Sequence, residues 1–225
     1  MTMNILALDT STEYCSVAVL AGGESFSREI LAGQRHSTLL LPLIAEVLAE
    51  CGVALTALDG IAFGSGPGSF TGLRIGCGVV QGLAFGADLP VLGLSTLLAL
   101  AQGCGGERVI ACLDARMGEV YHASYEKEAE GWRELAEPGL YAPLDVPLPP
   151  GEGWIGCGSG FAAHGAALRQ RYAGQLSAVL ADAPPRARDI AQLALPQFER
   201  GEGMDAALAA PLYIRNKVAL KTCER

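Results

Sequence analysis

The sequence predicts an α/β protein of two lobes, the second a reduced version of the first. Three observations predict it. Residues 4–31 hold short apolar or alternating runs joined by tight turns, the pattern of an antiparallel meander. Residues 37–102 then alternate helical periodicity with short apolar runs, which calls for parallel crossovers. After the glycine-rich break GCGGE, residues 103–107, a hairpin, a buried strand and further helices follow. A chain of 225 residues is long enough to bury a core in one large or two small domains.

Each element follows in order. Runs 4–9 (NILALD), 15–20 (CSVAVL) and 25–31 (SFSREIL) are strands, joined at 10–14 and at 21–24, where Gly22-Gly23 turns the chain. Residues 37–50 are helical, 60–63 a strand, 69–86 a helix, 90–93 a strand and 95–102 a helix, completing a first lobe at 1–103. Ser69 is a good N-cap, and Pro42 either falls near the first turn of its helix or bends the helix there. The second lobe is expected over 104–210. Runs 108–114 and 119–126 form a hairpin around Ala115 to Gly118, with a further strand near 132–135 and a proline-rich loop at 143–153. Residues 154–157 are a strand, 160–172 a helix, and 188–200 a helix whose last turn Pro196 disturbs. The tail, 211–225, is extended or irregular and returns to the first lobe in one reading.

Composition narrows the function. Half of the residues are hydrophobic and 18% are charged, which argues against disorder. The net charge of −8 disfavours a protein that grips nucleic acid alone. The basic tail residues Arg215, Lys217, Lys221 and Arg225 read as a solvated end or as a small basic patch. Seven widely spaced cysteines without C-x-x-C fit reduced thiols, not a disulfide framework or zinc site. No signal peptide or membrane span is expected, and the expected compartment is the cytoplasm.

The stretch GSGPGSFTGLRIG, residues 64–76, raises the question of a phosphate loop. Its glycines continue into the helix, however, as the rows Gly72, Gly76 and Gly78, Gly82, Gly86, each four residues apart and so near one face. Each interior glycine costs about 0.8–1 kcal/mol against alanine. A phosphate loop needs glycine only at its turn, whereas glycine rows admit another backbone. One neighbour is the chain's own sheet; two rows suggest a second. The helix at 37–50 is apolar on more than one side, with Leu40, Ile44 and Val47 on one face and Leu41 and Leu48 on another. It is covered either by a larger core of its own chain or by a partner.

Two polar turns have alternative readings. Asp9-Thr10-Ser11 is either a local Asx-type turn or, with Gly66 and Gly68, a residual nucleotide-facing set in which Asp9 orders magnesium through water. Asp114 to Gly118 is either a hairpin loop with Gly118 at positive φ or a contact point in the cleft between lobes. No G-x-S-x-G, H-E-x-x-H or G-x-x-x-x-G-K-[ST] occurs.

ILALDTSTEYCSVAVL, RHSTLLLPLI, GSGPGSFTGLRIG, DARMGEVY and PLYIRNKVALK together resemble the bacterial TsaB (YeaZ) family over nearly the whole chain. The resemblance implies the fold of actin, the sugar kinases and the Hsp70-like ATPases. It also implies a non-catalytic, metal-free relative of TsaD that pairs with TsaD, helps recruit TsaE and serves formation of N6-threonylcarbamoyladenosine beside the tRNA anticodon. It implies a homodimer without TsaD, weak or indirect tRNA contact, and ATP and magnesium only in the partner complex. The interface it implies comprises Leu39, Leu40, Leu43, Ile44 and Val47 of one helix and Gly72, Leu73, Gly76, Val79, Val80 and Leu83 of the next. TsaD-type proteins hold a metal with His-x-x-x-His; Thr96 and Leu100 stand at the corresponding positions here, and leucine cannot ligate. The chain departs from the family at Leu220, where tryptophan is common. The competing readings are a stand-alone ATPase, kinase or peptidase of the same fold, and a homodimeric scaffold.

Overall fold

The computed structural model describes residues 3–215. In the first lobe β1 (Ile5–Asp9), β2 (Tyr14–Ala21) and β3 (Glu24–Leu31) form the meander. Helix α1 (His36–Cys51) crosses to β4 (Gly60–Gly66), and α2 (Phe70–Ala87) crosses to β5 (Val91–Ser95). Both later strands are parallel to β1, and the order is β3-β2-β1-β4-β5. Helix α3 (Thr96–Gly103) then leaves the lobe.

The second lobe repeats the plan strand for strand. Its meander is β6 (Arg108–Asp114), β7 (Val120–Glu128) and β8 (Gly131–Tyr141). Strand β9 (Trp154–Cys157) pairs parallel with β6, and β10 (Leu176–Leu180) with β9. The order β10-β9-β6-β7-β8 corresponds to that of the first lobe, with α4 (Ser159–Arg171) as crossover. Where α1 stands in the first lobe, residues 142–153 are only a proline-rich loop, so the second copy is reduced. This is the actin-like, two-lobe α/β fold.

Period-2 alternation divides each sheet between two cores. Leu6, Leu8, Val17, Val19, Ile61 and Phe63 face α1 and α2. Ile5, Ala7, Ala18 and Ala62 face the opposite way, onto α5 (Ala187–Glu199), through Ala187, Ile190, Ala191, Ala194 and Phe198. In the second sheet, Val109, Ala111, Leu113 and Cys157 face Leu97, Leu100 and Ala101 of α3. Ile110, Cys112 and Trp154 face Phe161, Leu168 and Tyr172 of the α4 segment. Each lobe thus lends one helix to the space between the sheets.

The structure differs from the sequence reading, decides between its alternatives or goes beyond it at three places. Helix α5 falls within 104–210 by chain position but packs on the first sheet, and the chain stays with that lobe afterwards. Met204 bridges Val91, and Gln81 donates to the Ala209 carbonyl at 2.9 Å. Pro42 lies well inside α1, beyond its first turn; it is solvent-exposed, so water can take up the carbonyl it leaves without a donor. Strand β10 was not expected, because as a half-exposed edge strand it carries little apolar periodicity.

Candidate functional site

Two regions hold the residues singled out by sequence: the helix pair α1–α2, and the turn cluster at the C-terminal end of the first sheet. In the helix pair, Leu40, Leu43, Ile44 and Val47 are at most 5% exposed, and Leu73 and Val80 at most 2%. These six are core residues of the chain's own first lobe, which corrects their assignment to an outer surface. The sheet face built by Leu6, Leu8, Val17 and Val19 takes that side of both helices. Leu39, Val79 and Leu83 lie half-buried at the margin of the same core, with Leu48 and Ile75. Outside them Leu41 is 51% and Phe85 is 85% exposed.

The glycines of α2 divide in the same way. A Cβ on Gly72 would lie 1.9 Å from the Thr10 carbonyl oxygen, and one on Gly76 2.5 Å from Thr10 Oγ1. This row seats the β1–β2 turn directly on the helix. At Gly78, Gly82 and Gly86 a Cβ would meet nothing within 4 Å. Bare helix backbone therefore faces outward beside Phe85. Phe85 was missed in the sequence, although it stands three residues after Gly82 and hence on nearly the same side.

The turn cluster is closed. Ser69 caps α2, accepting from the Gly72 N–H at 3.3 Å, and its own N–H donates to the Ser11 carbonyl at 2.7 Å. Thr10 Oγ1 donates to the Gly72 carbonyl at 2.8 Å. The Ser11 N–H and hydroxyl both donate to Asp9 Oδ1, at 3.0 and 2.8 Å, forming the Asx-type turn. Asp9, Thr10 and Ser11 are 1–2% exposed, Gly68 abuts the Ser11 carbonyl, and the Leu212 carbonyl closes over Gly66. Asp9, Thr10, Ser11 and Gly66 are buried in an internal packing joint with Gly68 half-buried at its edge, which corrects the reading of this set as nucleotide-facing. Asp9 Oδ2 has no partner and is buried beside Gly64; burial pushes the carboxyl up to about 7.

The tail spans the cleft between lobes. The Leu212 N–H donates to the Ser65 carbonyl at 2.7 Å, and Tyr213 packs on Phe70 while its hydroxyl accepts from Arg74. Arg215 then reaches the hairpin turn of the second lobe, pairing with Glu119 and donating to the Arg116 carbonyl. That turn carries positive φ at Arg116, Met117 and Gly118, and Asp114 accepts from the Arg116 N–H at 2.9 Å. It is both the predicted hairpin loop and a contact in the cleft. Arg215 is not a solvated tail charge; Lys217, Leu220, Lys221 and Arg225 lie outside the described residues.

Residues 29–221 match the family described as TsaD: tRNA N6-adenosine threonylcarbamoyltransferase. The chain is 39% identical to the tRNA threonylcarbamoyladenosine biosynthesis protein TsaB of Escherichia coli, over 97% of each chain. It is 38% identical to the protein of the same name from Haemophilus influenzae, over 97% of this chain and 96% of that one. The chain belongs to the TsaB family. The solved structure of YeaZ from Pseudomonas aeruginosa superposes with a TM-score of 0.87 at 42% identity, covering 94% of this chain and 99% of that one. A second Pseudomonas aeruginosa structure, of an uncharacterized protein with similarity to peptidase YEAZ, gives 0.88 at 42% identity, covering 95% and 100%.

In this TsaB-family chain, Thr96 and Leu100, which the resemblance sets against the TsaD histidine pair, are taken up by internal bonding and core packing. Leu100 is 1% exposed in the core beneath the second sheet, and the Thr96 hydroxyl donates to the Pro67 carbonyl. Among the described residues no group of three His, Cys, Asp or Glu side chains is placed to share an ion, and no helix is long and apolar enough to cross a membrane.

Proposed function

We propose that this chain serves N6-threonylcarbamoyladenosine formation on tRNA as the non-catalytic partner of a TsaD-type transferase. Membership of the TsaB family supports the pathway. The pairing surface is the outer side of α1 and α2: Leu39, Val79 and Leu83 at its margin, with Phe85 and the open row Gly78, Gly82 and Gly86. The observation that carries this reading is that row. Glycines cost the helix stability, touch nothing in their own chain and stand beside an 85% exposed phenylalanine. Such a surface admits a second helix at close backbone distance. A stable pair there would bury about 800 Å² on each side. Without TsaD the same face pairs with a second copy, and the complex with TsaD helps dock TsaE. Transfer RNA is met through the partner, in keeping with the net charge of −8. ATP and magnesium enter on the partner's side, because the Asp9 turn is occupied by its own chain.

The test is co-purification of the tagged chain with TsaD and TsaE, followed by a tRNA modification assay with and without the chain. A complex and loss of modification on omission are expected. Full modification by TsaD and TsaE alone overturns the reading. A stand-alone enzyme is the second reading, favoured by the orphaned oxygen of Asp9; sustained ATP hydrolysis by the purified chain, lost in Asp9→Asn, would establish it instead.

A further inference from the structure

We propose that Cys104 and Cys157 form a thiol modification site, a dithiol at the junction of the two lobes that a low-molecular-weight disulfide such as glutathione disulfide converts into an intramolecular crosslink. Cys104 caps the C-terminus of α3, where the chain passes from the first lobe to the second. Cys157 ends β9, inside the second sheet. The packing of α3 brings them together. Cys157 Sγ lies 4.0 Å from the Leu100 carbonyl, on the helical turn that ends at Cys104. Cys104 is half-buried against the same cluster of Val109, Ala111 and Cys157.

The neighbouring Cys157 thiol is the largest influence that holds the Cys104 thiol down, at about 7. Burial is the main cause that pushes Cys157 well up. Burial and, more weakly, the Asp189 carboxylate oppose the Cys104 thiolate, and the Cys157 thiol with the Gly106 backbone outweighs them. The pair is therefore asymmetric: a half-exposed, ionisable thiol beside a fully buried one, the division of labour between attacking and resolving cysteines. Other described cysteines differ. Burial pushes up Cys15, Cys77 and Cys112, and Cys51 donates to a carbonyl of its own helix. Gly105, directly after Cys104, sits at φ +72° with open space around it, so the chain can turn there toward the geometry a disulfide requires.

The exchange balances. The Cys104 thiolate attacks one sulfur of glutathione disulfide, forming a mixed disulfide and releasing glutathione thiolate. Cys157 then attacks the Cys104 sulfur, its proton leaving to the released thiolate, and expels the second glutathione. Two protein thiols are oxidised and one glutathione disulfide is reduced to two glutathiones. The crosslink would tie the end of α3 to β9 and fix the segment that joins the lobes.

The test uses the full-length folded protein in glutathione redox buffers, followed by acid quenching and peptide mapping. The expected product is one Cys104–Cys157 disulfide per chain, reversed by dithiothreitol. Cys157→Ser should instead retain a glutathione adduct at Cys104, and Cys104→Ser should give neither species. The wild-type map decides the matter even if Cys157→Ser fails to fold. The proposal is overturned if the 104–157 bond forms only in urea-unfolded chains. It is equally overturned if native protein takes up glutathione at other cysteines while Cys104 stays reduced.

Discussion

Alanine substitutions along α2 separate the two glycine rows by sign. At Gly78 and Gly82 the added methyl meets no heavy atom within 4 Å, so the only intramolecular effect is helix propensity. Each change should stabilise the isolated chain by about 0.8–1 kcal/mol, and the pair by about 2 kcal/mol, because the sites share no partner. At Gly72 the same methyl would lie 1.9 Å from the Thr10 carbonyl oxygen and 3.1 Å from its carbon. Both atoms are backbone, so relief requires the β1–β2 turn to lift from the helix. That motion strains the Thr10–Gly72 and Ser69–Ser11 hydrogen bonds. Overpacking of this kind costs about 1–3 kcal/mol, with roughly 1 kcal/mol more for each buried bond lost, against a gain near 1 kcal/mol. Gly72→Ala should therefore be destabilised by about 2 kcal/mol or more. Urea denaturation at low protein concentration, with association held off, measures all four variants. The second arm replaces Gly82 with lysine, which the open surface accommodates in the monomer but which fills the space a partner backbone needs. A Gly78/Gly82 double alanine no more stable than wild type, or a neutral Gly72→Ala, refutes the division of rows. A Gly82→Lys variant that still pairs with TsaD refutes the use made of the open one.

Three further outcomes follow from burial and titration. Leu40→Glu should unfold the first lobe, with Leu40 fully buried, whereas Phe85→Glu should leave thermal unfolding unchanged and abolish pairing in sedimentation with TsaD. Asp9 titrates at about 7 in the folded chain against 3.8 for the ordinary carboxyl, so its proton is held in the folded state and stability falls as pH rises from about 4 to 7. Asp9→Asn should remove up to roughly 4 kcal/mol of that loss at pH 8 and change nothing below pH 4; a pH-independent difference in denaturation midpoint would contradict the buried-carboxyl account. His122, buried without a partner beside Tyr141 and Tyr172, is held down at about 4 from 6.5. Its sign is opposite. Stability is lost as pH falls from 6.5 to 4, by roughly 3 kcal/mol, and acid titration of His122→Phe should lack that component.

What could be read in the sequence was local and periodic. Strand Trp154–Cys157 was read to the residue, and Ser69 as the cap of α2. The two-lobe plan followed from the meander and the crossovers. What could not be read depended on which sheet approaches from which side. Helix α1 shows apolar residues around more than one face, and periodicity gives the angle between faces without saying which lies inward. Leu40 and Ile44 proved to be core for that reason, and the exposed side was left to Leu41. Helix α5 has a clear apolar stripe, but nothing in residues 187–199 states that the stripe belongs to a sheet built some hundred and seventy residues earlier. The Asp9 turn failed differently. Its residue types suit phosphate binding and Asx turns equally, and only the closeness of Gly68 and Gly72 shows the space to be filled.

On the proposed pairing, the glycine-rich stretch serves two neighbours on one helix. At Gly72 and Gly76 the lost helix propensity is offset within the chain, because close seating of the turn yields the Thr10–Gly72 bond and the capped entry of α2. At Gly78 and Gly82 no contact within the chain offsets it. The proposed partner surface would recover this cost of about 2 kcal/mol, and the gain is largest when that surface brings its own backbone close. Side-chain packing alone would be served as well by alanine. An isolated chain therefore reads as half of an interface, and alanine at Gly82 should make it a better monomer and a poorer partner.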